Sequence, residues 1–568
     1  MPWTNDNFGV TKDLGFDTAW RDSISSTVVQ AQVSKARVRS NHSSASMHKR
    51  VASAVQAQLS FKDRIKRAHT SWDIWALGIS IVLGGQFTSW NAGLAAGSAG
   101  FGISVLLVGL AYVCLACSMA EMTSMLPFAG GVYGLSRCTL GFYAGFVLGC
   151  FEILVYMLYV SSINVSLGKT VTSWWPILQP YEPIVWVLSY VTTTSIVVVG
   201  GHVYWRFIFL LAITLLGLIL LFVFGSIPYA NMDVYAGGSD HAFVGGFSQW
   251  FTSLPLAMWF FTGIEALNPL CNEIDTPRHT IPRGQVSSML TIFVSSIAVY
   301  LTTISLPPGI TALASVMTVF NGGYSQLFPT LATNATLLSL PAIYATSPGF
   351  LLSGGNIIAS LADSKLIPHA LRCRHPVYGT TSHASLAMAS ASFLLCFLVF
   401  YQPSADADLF NLSMLFASMI YTSQCIGYIF LKRRYRTMER TFHSPFGVPG
   451  AAFAMLVFAL CALSIVGCQV QSAHIVMAWA AIVACLSIYY HAIAKSRQTI
   501  SDDERKILFF VHIANHNDAK RKHNHRGGVV TKFLHSIMTT FSGPKSTATG
   551  GTRTSAIAPH AADLPPTT

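Results

Sequence analysis

Three glutamates stand inside apolar stretches of this chain: Glu121, Glu152 in CFEILVY, and Glu265 in WFFTGIEALN. A carboxylate among hydrocarbon is costly, so it pairs with a cation, carries a proton, binds a ligand or caps broken backbone. Glu265 follows Thr262-Gly263. A glycine there is a place for a helix to stop, which frees backbone carbonyl and N–H groups in mid-stretch. Freed carbonyls around Phe261, Thr262 and Gly263, with the ring faces of Phe260, Phe261 or Trp259 above them, suit an ammonium group. A second such place is Gly84-Gly85-Gln86, with Thr88, Ser89 and Asn91 behind it. A break there offers N–H groups and a positive helix end to the oxygen end of a ligand; close helix packing is the alternative. Glu265 could meet an amine or a proton, or hold the break together. Glu152 could be a protonation site, or a neutral acid bonded to a neighbouring helix. Ser353 and Asn356 flank Gly354-Gly355 and could face a sodium site against the first stretch, or bond helix to helix. Glu121, nearer a stretch end, is expected to contact Arg137 or Arg283.

These residues need elements that hold them in a bilayer. Of 568 residues, 52% are hydrophobic and only 10% charged, against roughly 25% charged in soluble domains. The expected fold class is an all-α polytopic membrane protein of about twelve transmembrane helices, each near the ~20 residues a bilayer requires. Spans are predicted near 74–96, 101–125, 142–167, 184–199, 205–227, 251–270, 286–306, 337–361, 385–401, 409–431, 451–470 and 474–493. Three regions follow: a tail over 1–70, a core over 71–494 and a polar tail over 495–568. The last tail holds a short helix expected at 502–513, a basic stretch at 520–523, and Ser/Thr/Ala/Pro-rich sequence read as disorder.

The net charge of +12 does not indicate nucleic acid, because the basic residues lie in the tails and in alternate loops. With the N-terminus cytoplasmic, Arg137, Arg206, Arg278, Arg283, Lys365, Arg372, Arg374, Lys432, Arg433, Arg434, Arg436 and Arg440 fall on the inner side. The outer loops hold Lys169 and otherwise acids, including Asp233 and Asp406. The positive-inside rule therefore places both ends in the cytoplasm, with the plasma membrane the expected location. The eleven cysteines are mostly within apolar spans and suggest neither disulfides nor a metal site. Asn334-Ala335-Thr336, on the outer side, fits a glycosylation acceptor.

Four segments, in order, resemble the amino acid–polyamine–organocation family of permeases. They are Ala120-Glu121 with LPFAGGVY (126–133); FTGIE (261–265) with Glu273, Pro277-Arg278 and IPRG (281–284); LADSKLIP (361–368); and HSPFGVPG (443–450). The segment WNAGLAAG (90–97) is most similar to the ethanolamine-permease branch. The resemblance implies two inverted five-helix repeats, spans 1–5 and 6–10, plus two further helices, with the solute between broken spans 1 and 6. It implies alternating-access transport of a small amine-bearing solute, ethanolamine or a neutral amino acid, with no enzyme activity and no cofactor. Substrate would be bound at Gly84, Gly85, Gln86, Phe260, Phe261, Thr262, Gly263 and Glu265. Coupling to H+ or Na+ through Glu152, Ser353 or Asn356, or no coupling, stays open. Three departures stand out: the glycine motif of span 1 is short, Asn356 stands where relatives carry an arginine, and span 5 lacks a mid-membrane lysine. Other readings are a permease for gamma-aminobutyrate or polyamines, or a nutrient sensor that keeps the transporter fold.

Overall fold

A computed structural model describes residues 69–501, apart from 317, 437, 470 and 471, and also residue 505. Nearly all of both expected tails, with the helix at 502–513 and the basic stretch at 520–523, lies outside the described residues, as does the side chain of Asn334. The described residues fall in one compact unit, and no strand occurs among them.

Ten helices are long and apolar enough to cross a membrane. In chain order they supply span 2 (Ser98–Met125), span 3 (Phe142–Trp174), span 4 (Glu182–Val199), span 5 (Gly201–Gly225) and span 7 (Pro277–Ile304). Span 8 (Leu340–Asp363), span 9 (Ser382–Tyr401), span 10 (Ala405–Arg434), span 11 (Gly447–Cys468) and span 12 (Ser472–Tyr489) complete them. The other two expected spans are the interrupted ones. Span 1 is an α-helix, Ser71–Phe87, followed by a 3-10 turn, Trp90–Ala96. Span 6 runs as Gly246–Ser253, Leu254–Phe260 and Ile264–Leu270, the last two pieces 3-10. The interruptions thus recur at the first span of each expected repeat.

Local sequence explains the helix starts. Thr70 and Asp73 form a capping box at the head of span 1, with the Thr70 N–H donating to Asp73 at 2.8 Å. Span 7 begins with proline, which needs no intrahelical donor there. Spans 1, 3, 6 and 8 lie at the centre, with span 8 packed on spans 1 and 3, and span 7 on spans 1 and 2. Spans 4, 5 and 12 lie outside: their apolar windows are 33%, 28% and 6% buried. Leu188, Leu210 and Ile488 point outward there, as side chains facing lipid do.

The Arg-bearing connections are tighter than the sequence suggests. Spans 4 and 5 meet at Gly200 alone, so Arg206 lies within span 5 rather than in a loop. Arg278 and Arg283 lie in the first turns of span 7, and Arg137 on a short helix, Gly131–Thr139. Most of the cysteines lie within the spans, and Cys271 donates to Asn268 O at 3.2 Å.

Candidate functional site

The break of span 6 is where Thr262-Gly263 predicts it. Gly263 has φ +108°, a left-handed conformation that favours glycine. A Cβ there would lie 2.6 Å from the Ile81 side chain of span 1 and 2.8 Å from Phe350 of span 8. Glu265 folds back, and its carboxylate accepts from the Gly263 N–H at 3.1 Å. It is buried and holds the break, the structural alternative read from sequence. The inner carbonyls of span 6 are taken by neighbours. Gln285 of span 7 donates to Ile264 O at 3.1 Å, Ser353 of span 8 to Ala266 O at 2.6 Å, and Asn356 to Pro269 O at 3.4 Å. Ser353 and Asn356 thus donate to span 6 carbonyls, and Asn356 also accepts from Thr381 of the span 9 head at 3.2 Å.

The break of span 1 lies elsewhere than expected. The α-helix continues through Gly84, Gly85 and Gln86 to Phe87, and the chain turns at Thr88-Ser89, with Ser89 at φ +74°. The N–H groups of Gly84-Gly85-Gln86 belong to a helical ladder and are not the free donors expected there. The glycines serve close approach instead. A Cβ on Gly84 would fall 2.2 Å from the Thr346 hydroxyl and 2.7 Å from the Ala342 carbonyl of span 8. One on Gly85 would fall 2.3 Å from the Trp259 carbonyl. Gln86 turns to span 7, donating to Ser295 at 3.0 Å and Ser296 at 2.8 Å.

Ile81, Val82 and Gly85 of span 1, Tyr159 and Ile163 of span 3, Trp259 and Thr262 of span 6, and Thr346 and Phe350 of span 8 line one cavity. Its free volume is about 10 Å³, room for about one water molecule, so its walls stand nearly closed on one another. Thr262 is its polar centre. The hydroxyls of Tyr159, Tyr421 and Tyr112 converge on Thr262 Oγ1 at 2.9, 3.2 and 3.4 Å. Two buried polar atoms of lining residues, Thr346 Oγ1 and Trp259 Nε1, have no hydrogen-bond partner among the described residues. No lining residue is ionisable except Tyr159.

Of the sequence-predicted binding residues, Gly85 and Thr262 line this cavity. Gly263 and Glu265 shape it from behind. Phe260 packs on Trp90 with ring centroids 4.6 Å apart, and Phe261 on Tyr112 at 5.6 Å, so their rings join the outer packing. Trp90 and Asn91, which carry the ethanolamine-branch resemblance, lie outside the cavity lining. Trp90 donates to Gln86 O at 2.7 Å across the turn, and Asn91 donates to Leu313 O and Val316 O, each at 2.7 Å. Sequence reasoning missed Ile81, Val82, Ile163, Thr346 and Phe350. Helical spacing marks them: Ile81 with Gly85, Thr346 with Phe350 and Ser353, and Glu152, Tyr156, Tyr159 and Ile163 each share one helix face.

The other two carboxylates lie toward the Arg-rich side of the bundle. Glu152 accepts from Val132 N–H and from the Tyr156 hydroxyl, each at 3.0 Å, and so caps the Gly131–Thr139 helix. It makes no ion pair among the described residues. Glu121 meets neither Arg137 nor Arg283. It accepts from Lys432 at 2.6 Å, Tyr428 at 2.7 Å and the Ser444 N–H at 2.9 Å, with Arg440 at 3.3 Å. Its position explains the difference: span 2 packs on spans 10 and 11 at that height. Among the described residues no group of three His, Cys, Asp or Glu side chains could hold a metal ion.

A bundle of ten membrane-length helices with two interrupted spans packed at its centre defines a polytopic all-α membrane protein. The sequence of residues 70–488 matches the amino acid permease family model, and the chain belongs to that family. Its relatives include the branched-chain amino acid permease of Bacillus subtilis, 25% identical over 71% of this chain and 89% of that protein. The histidine permease of Lactococcus lactis is 25% identical over 67% of this chain and 82% of its own length. The aromatic amino acid transport protein of Escherichia coli is 23% identical over 52% and 65%. The family is one of permeases rather than enzymes.

Proposed function

We propose that this permease carries a small neutral α-amino acid with an apolar side chain, by alternating access through the cavity between spans 1, 3, 6 and 8. The observation that carries the reading is the lining: apolar walls at Ile81, Val82, Ile163 and Phe350, and no carboxylate or cation. A zwitterion brings no net charge and a single ammonium to such a lining, whereas a polyamine brings two or more ammonium groups with no carboxylate to meet them. Ethanolamine is a cation at neutral pH, and the nearest acid, Glu265, is engaged at Gly263. The unpartnered Thr346 hydroxyl and Trp259 indole N–H are donors for a carboxylate. Trp259 and Tyr159 close the cavity on its outer side, their rings 5.8 Å apart and nearly perpendicular. The basic face lies in the cytoplasm of this reading, at the plasma membrane.

Glu152 is the coupling residue this reading favours, as a proton site. It lies on the same face of span 3 as Tyr159 and Ile163, beside the inner end of span 6. Ser353 and Asn356 are committed to span 6 carbonyls, which argues against their use in a sodium site.

Uptake of labelled leucine, alanine and ethanolamine into proteoliposomes, with and without an inward proton gradient, tests the reading. Leucine or alanine uptake stimulated by the gradient supports it. Ethanolamine uptake without amino acid competition sinks it in favour of the branch suggested by residues 90–97. Binding without flux sinks it in favour of a sensor. Thr346→Val removes one donor with little change of shape and breaks no existing hydrogen bond. It is expected to raise the amino acid KM about tenfold or more, the cost of losing one hydrogen bond to a charged group. The melting temperature should stay within a degree or two; an unchanged KM would remove the hydroxyl from the site.

A further inference from the structure

Arg206 stands on the outward face of span 5. It lies about 7.5 Å along the axis from the start of that helix, Gly201–Gly225. Val203, Leu210 and Ile213 share its face and are 57%, 66% and 46% exposed, as side chains against lipid are. Arg206 is exposed too, and it has no hydrogen-bond, ion-pair or ring partner among the described residues. A cation on a lipid-facing stripe reaches for the interface and for a counter-charge there.

The connection between spans 8 and 9 stands beside the same helix start. Thr380 donates to Val198 O at 2.7 Å, and its methyl group lies 2.6 Å from where a Cβ on Gly200 would be. The connection is firmly built. The His375 N–H donates to Thr380 O at 2.9 Å and the Gly379 N–H to His375 O at 2.8 Å. His375 Nδ1 accepts from the Val377 and Tyr378 N–H groups at 3.2 and 3.3 Å. This turn holds Val377 63% and Tyr378 41% exposed at its tip. Arg374, also exposed, donates to Gly379 O at 3.2 Å. Arg372 is bridged to Asp363 at 2.8 Å, and Glu273 is the acid that acts on Arg374. Segments 200–206 and 369–383 contain no acid of their own.

We propose that this corner of the Arg-rich side binds an anionic phospholipid. Arg206 takes the headgroup phosphate, whose oxygens match the guanidinium fork. Arg374 adds the second positive charge, which selects a net-negative headgroup over a zwitterionic one. The acyl chains lie along Val203, Leu210 and Ile213. Val377 and Tyr378 rest in the interface, where a ring with a polar tip is favoured. A soluble anion would meet the charge and leave the apolar surface around it bare, whereas a lipid covers both. The inference does not depend on which solute the protein carries.

The test uses the full-length protein purified in a neutral detergent and titrated with phosphatidylserine or phosphatidylcholine of the same acyl chains. Native mass spectrometry counts the bound lipid. Wild type is expected to hold phosphatidylserine about fivefold or more tighter than phosphatidylcholine. Arg206→Gln is expected to lower the phosphatidylserine affinity about fivefold, the worth of one basic side chain near anionic headgroups. The double variant Arg206→Gln/Arg374→Gln should bring the two lipids within twofold of each other. Equal affinities in wild type overturn the proposal, and so does an undiminished preference in the double variant. Displacement of the lipid by glycerophosphoserine at the same concentration also overturns it, because the site would then serve a soluble phosphate ester. If the double variant melts early, Arg206→Lys/Arg374→Lys decides. That pair keeps the charges and is expected to keep the preference within twofold; its loss in a protein that melts with wild type sinks the proposal.

Discussion

Gly263→Ala is expected to abolish measurable uptake and to lower stability by roughly 2–5 kcal/mol. The left-handed backbone at φ +108° costs an L-residue about 1–2 kcal/mol. The added methyl meets Ile81 at 2.6 Å and Phe350 at 2.8 Å, an overpacking that costs about 1–3 kcal/mol more. Neither neighbour can retreat freely: Ile81 is 1% exposed on span 1 and Phe350 1% exposed on span 8. Both line the cavity, so any accommodation narrows it or straightens the break. Gly217→Ala is the matched control, since nothing lies within 4 Å of a Cβ there. Uptake assays and thermal unfolding of the two variants side by side check this. A Gly263→Ala protein with wild-type flux would show that the break does not need its observed geometry for transport.

Glu121→Ala is the second large effect and acts away from the cavity. The carboxylate, 1% exposed, receives Lys432, Arg440, the Tyr428 hydroxyl and the Ser444 N–H. Truncation leaves two cations without a counter-charge and two donors without an acceptor. Breaking a buried ion pair by removing one partner costs about 3–5 kcal/mol. Lys432 is 25% exposed and Arg440 7%, so water relieves the lysine more than the arginine, and the lower half of that range is expected. Glu121→Gln keeps an acceptor for Tyr428 and Ser444 and should fall between wild type and Glu121→Ala. Melting temperatures measured on the purified variants decide it, and a Glu121→Ala protein that melts with wild type would refute the account.

The sequence made the class and the span order plain, because apolar length and alternating loop charge are direct consequences of a bilayer. It also marked the break of span 6, where Gly263 beside a buried Glu265 has few other physical explanations. It misplaced the break of span 1 for a specific reason. Paired glycines signal either a hinge or a surface that lets another backbone come close, and Gly84-Gly85 is the second kind, facing span 8 and Trp259. The true turn, at Thr88-Ser89, has no glycine to announce it. The cavity walls were harder to see, since Ile81, Ile163 and Phe350 look like any core residue until spans 1, 3 and 8 are packed together. Glu121 was recognised as a structural contact but given the wrong cations. Arg137 and Arg283 are nearer in sequence, while Lys432 and Arg440 arrive only through the packing of span 10 against span 2.

That last contact has a consequence for how the protein is made. Glu121 and Lys432 are 311 residues apart. A ribosome adding about 5–20 residues per second needs roughly 15–60 s to cover that distance. Throughout that interval span 2 carries an acid whose eventual counter-ions do not yet exist. Its place near the end of span 2 (Ser98–Met125) keeps the carboxylate away from mid-span meanwhile, where an unpaired charge costs most. The ion pairs that bury it can form only once the chain some three hundred residues downstream has been made.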